Sequence, residues 1–219
     1  RLDGGVRQAF VIPAPSGVRL TSSAAFSPDG RTLYAGTRDG EVVSWPPHDT
    51  GVGAPRVQRV SPPGHAADVS NVAVSPTAPV MVTPDYAAQT TVVNRIAADG
   101  TVTPVATIDT PTSQVATFNS NGSLLQVGTE LGVQLWDVGV PEHPVLVSTI
   151  PTDALPAASW FAPHSPLIAT GTDSGRITVW DISNPRQPRE VRHFTDARSG
   201  IYAVTFSPDG QFIVAGGAD

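Results

Sequence analysis

The 219-residue chain has no cysteine, no lysine, one methionine and few aromatic residues, 6% of the total. Without cysteine there is no disulfide, no thiolate nucleophile and no cysteine-ligated metal. That suits a cytoplasmic protein, the expected location, and suits equally an extracytoplasmic domain of a membrane-anchored one. All 13 cationic side chains are arginine, which we read as the codon bias of a GC-rich genome and not as chemistry. No run approaches the ~18 apolar residues of a membrane helix, and residues 1–20 lack a signal-peptide apolar core. The net charge of −6, with arginines scattered and not clustered, argues against nucleic acid, whose phosphates demand a basic face.

What the chain does have is 22 prolines and 20 glycines, many turns in place of long helices. It also has a repeat. Phe26-Ser27-Pro28-Asp29-Gly30 recurs unchanged as Phe206-Ser207-Pro208-Asp209-Gly210. Weaker copies begin at Val74, Phe118 and Phe161, so the anchors stand 48, 44, 43 and 45 residues apart. A period in this range signals an array of supersecondary units.

Within each period the apolar pattern alternates with a spacing of two, the mark of strands. Strand a precedes the anchor (Ser22 to Phe26, Val69 to Val74, Gln114 to Phe118, Pro156 to Phe161, Ile201 to Phe206) and strand b follows it (Thr32 to Thr37, Val80 to Thr83, Leu124 to Thr129, Leu167 to Thr172, Phe212 to Gly217). A tight polar turn, such as Arg38-Asp39-Gly40 or Asp173-Ser174-Gly175, leads to strand c, and a looser proline-rich connection to strand d. The repeats fall at about 14–60, 61–108, 109–150 and 151–194, with a partial one at 195–219. Residues 1–13 are expected to hold the outer strand of a preceding unit, over Phe10 to Ile12. The fold expected is all-β: four-stranded antiparallel blades stacked radially, because one such sheet cannot bury both faces alone. Trp45, Trp136 and Trp180 share one column of strand c, where a large ring fills the gap between blades.

These columns resemble the WD-repeat β-propeller family. The carriers are Trp136-Asp137 and Trp180-Asp181 closing strand c, the two Phe-Ser-Pro-Asp-Gly turns, and Gly64-His65 before a strand a. The tail Asp181 to Arg189 resembles bacterial, in particular actinobacterial, members. The resemblance implies a ring of about seven blades, so the five repeats are expected to be part of a larger ring with attached domains outside the segment. It also implies a buried set of His, Ser/Thr, Asp and Trp in each blade, with His65 a structural member. No blade here has all four: Asn94 stands at the Trp column of the second, and Thr152-Asp153 replaces Gly-His in the fourth.

Chemistry is sparse. His48, His65, His143, His164 and His193 show no metal-ligand spacing, and Gly-x-Ser-x-Gly is absent. Most acidic residues sit in turns, where carboxylates accept local backbone N–H bonds. No catalytic residue, cofactor or metal is therefore expected. In propellers of this family partners commonly dock on the face of the b–c and d–a loops. Position by position this implies Arg38, Asp85, Tyr86, Glu130, Asp173 and Tyr202 as candidates for binding a protein or peptide. Trp160, in a column held elsewhere by Ala25, Ala73, Thr117 and Thr205, is expected to fill a gap. The alternatives are a propeller enzyme, lactonase-like or metal-dependent, and a structural spacer in a larger regulatory protein.

Overall fold

The computed structural model describes residues 12–48, 51–62, 67–111 and 115–218. Among these there are only strands, turns and irregular segments, and no helix. The first sheet comprises β1 (Leu20–Phe26), β2 (Leu33–Thr37), β3 (Glu41–Trp45) and β6 (Arg56–Arg59), with a small hairpin of β4 (Pro47–His48) and β5 (Gly51–Val52) before its last strand. The second holds β7 (Ala73–Val74), β8 (Val80–Asp85), β9 (Thr90–Ile96) and β10 (Val102–Asp109). The third holds β11 (Ala116–Phe118), β12 (Leu124–Thr129), β13 (Gly132–Asp137) and β14 (Val145–Ile150). The fourth holds β15 (Pro156–Phe161), β16 (Leu167–Thr172), β17 (Ile177–Asp181) and β18 (Arg189–Phe194). A two-stranded sheet of β19 (Ile201–Phe206) and β20 (Ile213–Gly217) follows. Each four-stranded sheet is an antiparallel meander in chain order, as the repeat requires.

The a–b turns show how unlike sequences make the same bend. Ser27 Oγ accepts the Thr32 N–H at 2.9 Å, Asp29 Oδ1 accepts the Arg31 N–H at 3.1 Å, and Gly30 takes φ 69°. Ser207, Asp209 and Gly210 repeat this, with bonds of 3.0 Å from Phe212 N and 3.1 Å from Gln211 N. In the third sheet Asn119 Oδ1 accepts Leu124 N–H and Asn121 Oδ1 accepts Ser123 N–H, both at 3.0 Å. Asn119 thus replaces the serine and Asn121 the aspartate, which is why the motif survives there in degenerate form.

Sheets stack face to face, and each space between neighbours holds one apolar cluster. Val42, Val69, Val72 and Met81 join the first and second sheets, and Val82, Val93, Leu125 and Val127 the second and third. Leu135, Ile150, Phe161 and Ile168 join the third and fourth, and Ala158, Ala169, Val204 and Phe206 the fourth and the two-stranded sheet. The first strands lie side by side, β1 next to β7, β7 next to β11, β11 next to β15 and β15 next to β19. Strand b is the most buried of the second, third and fourth sheets, strands b and c are equally buried in the first, and strand d is the most exposed of the third and fourth. Burying a Val or Leu side chain is worth roughly 1.5–3 kcal/mol, so these clusters are the principal stabilising term.

The tryptophans of the third and fourth sheets face the preceding sheet. Trp180 packs with Leu135 and Ile150 of the third sheet, Trp136 against the cluster shared with the second, and Trp45 with Ile12 and Val18. Trp180 Nε1–H donates to Thr170 Oγ1 of strand b at 3.1 Å. Asn94, at the same column of the second sheet, donates to the equivalent Thr83 Oγ1 at 3.1 Å and is fully buried. Asparagine therefore keeps the hydrogen bond while giving up the ring. Strand b of the first and third sheets offers Ala35 and Val127 at that position. Trp136 Nε1–H turns to Gln134 Oε1 at 3.0 Å, and Trp45 Nε1 has no partner among the described residues.

Three features depart from the sequence reading, and a fourth expectation falls largely outside the described residues. The strand expected over Val69 to Val74 shrinks to β7, because Ser23 Oγ of the first sheet takes the Val72 N–H at 2.8 Å; Val69 keeps one isolated bridge, to Asp85. Phe10 and Val11 lie outside the described residues, and Ile12 is in no strand, packing instead near Trp45. The β4–β5 hairpin sits where a loose connection was expected. Trp160 is not enclosed as a gap filler: it is 46% exposed near the end of β15, on the face that carries Ala158 and Ala169.

Thr170→Val is expected to destabilise the protein by about 1–2 kcal/mol, since it strands a buried indole N–H, while Thr170→Ser stays close to the parent. Urea unfolding midpoints of the two variants check this, and equal midpoints would remove the bond from the account.

Candidate functional site

The b–c turns and the d–a connections lie at one end of the stack, and their mutual packing builds a continuous surface. The b–c turns need a residue with positive φ: Gly40 (79°), Gly132 (116°) and Gly175 (85°), with Gln89 (57°) in the longer turn of the second sheet. The bend tucks each turn against the connection to the next sheet. Gly40 O accepts the Val60 and Ser61 N–H groups, both at 3.0 Å, and Gln89 O accepts Thr110 N–H at 3.1 Å. A Cβ on Gly132 would meet Ile150 O at 2.2 Å, and one on Gly175 would meet Ser199 O at 2.8 Å. Side chains at this end are thus displayed from interlocked backbone.

Five of the six candidate face residues, Arg38, Tyr86, Glu130, Asp173 and Tyr202, are exposed here. Tyr202 is 60% and Tyr86 44% exposed. Gly200 lies between Tyr202 and the fourth sheet, so close that a Cβ there would stand 3.1 Å from Asp173 Cα and 3.4 Å from Tyr202 Cε1. Tyr202 and the Asp173 turn are therefore neighbours. Arg38 stands apart on the first sheet, next to the exposed Arg19–Asp39 ion pair of 2.6 Å.

Asp85 is a correction. It is fully buried, and its carboxylate accepts Ser61 Oγ–H, Asp68 N–H at 2.9 Å and Ala88 N–H at 3.0 Å. Those donors tie the second sheet's turn to the connection arriving from the first sheet, so Asp85 holds the surface together from beneath. His65, the expected structural histidine, lies outside the described residues. The fourth sheet makes a comparable tie with the roles exchanged. There the carboxylate comes from the connection, as Asp153, and the hydroxyls from the turn: Thr172 Oγ1–H at 3.1 Å and Ser174 Oγ–H at 2.8 Å. Desolvation alone would raise the Asp153 pKa, but the Ser174 and Thr172 hydrogen bonds outweigh it and hold the carboxyl below its ordinary value.

Leu131 escaped the sequence reading. It is 66% exposed at the tip of the third sheet's turn, between Glu130 and Gly132. The available signal was an apolar residue in a tight turn where polar ones are the rule. Among the described residues no group of three or more His, Asp or Glu side chains is placed to hold a metal ion. His193 Nδ1 lies 2.6 Å from Glu190 Oε1 on the outer strand, and Glu190 also takes Arg176, which directly follows the fourth sheet's turn and lies near Asp153, at 3.1 Å. No described helix is long and apolar enough to cross a membrane.

The family model described as WD domain, G-beta repeat matches residues 9–46, 151–181 and 188–219. These segments cover the first sheet through strand c, the fourth sheet and the β19–β20 pair, a little under half of the chain. A similar curated protein is the Drosophila melanogaster protein named Protein LST8 homolog, 27% identical over 100 residues. That stretch is 45% of this chain and 30% of the relative, so the match spans under a third of the relative's length.

The carboxyls of Asp39 beside Arg19, of Asp99 in its Thr101 turn and of Asp153 are all held below the ordinary aspartate value. Groups with a depressed folded pKa stabilise the fold fully above the unfolded value of about 3.9, and lose that contribution as pH falls through the folded value. Stability is therefore expected to be flat toward neutral pH and to decline below about pH 4, with Asp153→Asn showing a shallower decline. Thermal melts across this range test the sign; a stability gain on acidification would refute it.

Proposed function

We propose that this array of WD repeats is a non-catalytic platform that binds a protein or peptide through the end carrying the b–c turns and d–a connections. The observation that carries the reading is the combination found there: exposed Tyr86 and Leu131 on turns locked by backbone contacts, and exposed Tyr202 at the start of β19. Rigid aromatic and aliphatic side chains lose little entropy on being covered, which is what association requires of contact residues. Several sheets contribute side chains independently, so positions on one surface vary without disturbing the fold. The WD-repeat match supports the same reading, since repeats of this type offer extended surfaces more readily than enclosed chemistry. Arg38, Glu130 and Asp173 are the charged members of the surface. A bacterial source, suggested by the all-arginine composition, belongs to the same reading.

Tyr202→Ala and Arg38→Glu are expected to weaken partner capture by more than about tenfold each while leaving the melting temperature within about 1 °C of the parent. Pull-down from the source organism's extract followed by calorimetry on the captured protein provides the check. Capture unaffected by both substitutions, in folded variants, moves the interface elsewhere. The competing enzyme reading predicts a resident divalent ion; elemental analysis of the purified protein is expected to show none at stoichiometric level.

A further inference from the structure

The surface proposed above has a charge pattern that selects its partner. On the third sheet through β19, Glu130, Asp153, Asp173 and Asp196 are exposed carboxylates on neighbouring turns and connections. Contacts join the first three in one arc: the Gly132 turn packs on Ile150 and Pro151, Asp153 bonds to Thr172 and Ser174, and Gly200 packs on Asp173. Leu131, 66% exposed, and Tyr202, 60% exposed, flank this arc. Glu130 and Asp173 have no ion-pair partner among the described residues. The Arg176 guanidinium, the nearest cation in sequence to Asp173, is turned to Thr178 Oγ1 at 3.1 Å and to Glu190. Arg198 lies on the same connection as Asp196. At the opposite end Arg95 meets Glu142 at 2.5 Å and Arg189 meets Asp181 at 3.3 Å, while the turn carboxylates Asp29, Asp99 and Asp209 there are held by hydroxyl and backbone N–H donors of their own turns.

We infer that the partner element seated on this arc is a basic peptide segment, arginine- or lysine-rich with interspersed apolar residues. The inference rests on the platform reading. Covering unmatched carboxylates with a neutral or acidic surface removes their hydration with no compensating charge, a cost that grows with each group buried. A cationic segment restores that charge and is drawn in at long range. Leu131 and Tyr202 then receive its apolar side chains, giving contacts that survive screening by salt.

The test uses three short fluorescein-labelled peptides of equal length: arginine alternating with leucine, and its glutamine and glutamate counterparts. Each is titrated against the whole chain, against the double variant Glu130→Arg with Asp173→Arg, and against Tyr202→Ala. The expected result is binding of the arginine peptide alone, weakened roughly tenfold or more by the charge reversal and by Tyr202→Ala, and falling as salt rises. Circular dichroism melts confirm that the variants remain folded. Stronger binding of the glutamine or glutamate peptide, still lost with Tyr202→Ala, overturns the charge inference and leaves the platform reading standing. Arginine-peptide binding indifferent to all three substitutions overturns both. No binding by any peptide overturns the inference that a basic segment suffices, while the capture experiment above decides the platform reading separately.

Discussion

Sheet-on-sheet burial is the constraint on which the rest of this structure depends. A four-stranded meander of some forty residues has two faces with apolar residues on both, and water meets one of them unless another sheet covers it. Here the neighbour along the chain does so: Val42 and Val69 face Met81, Leu125 and Val127 face Val82 and Val93, and Phe161 faces Leu135 and Ile150. Hydrogen bonds between sheets are few by comparison, so the stack depends on shape and area more than on polar connectivity.

Polar ties matter at particular points, and they are exchangeable. The Trp180–Thr170 bond and the Asn94–Thr83 bond are one interaction made with different donors. Likewise the Asp85–Ser61 tie and the Asp153–Ser174 tie exchange which segment supplies the carboxylate. A repeat under weak polar constraint drifts in this way: the bond is kept and the residues that make it change. The cost shows at Trp45, whose indole N–H faces Ala35 in place of a threonine and has no partner among the described residues. An unsatisfied donor of that kind costs about 1–3 kcal/mol, which the apolar clusters absorb.

The same packing creates the surface. Because each b–c turn is pressed against the connection to the next sheet, side chains projecting from several turns are fixed relative to one another. Tyr202 stands beside Asp173 although 29 residues separate them, because Gly200 leaves no more than contact distance between β19 and the fourth sheet's turn. Rigid display of this sort suits recognition, because it holds contact residues from several sheets in place relative to one another.

The sequence by itself determined most of the strands, their order and the column of rings between sheets. Those follow from a period-two pattern, turn glycines and a repeat spacing, all local signals; β15, β16, β12 and β19 have the bounds that the pattern alone assigns. The tertiary structure decided matters that depend on a neighbour distant in the chain. Asp85 reads as a surface turn residue, yet donors from Ser61 and Asp68 bury it; Trp160 reads as a filler, yet it stands about half exposed. The β7 strand reads as six residues and forms as two, because a serine 49 positions earlier takes its amide. Burial and ion pairing depend on what lies across the gap between sheets, and no pattern along a single strand carries that information.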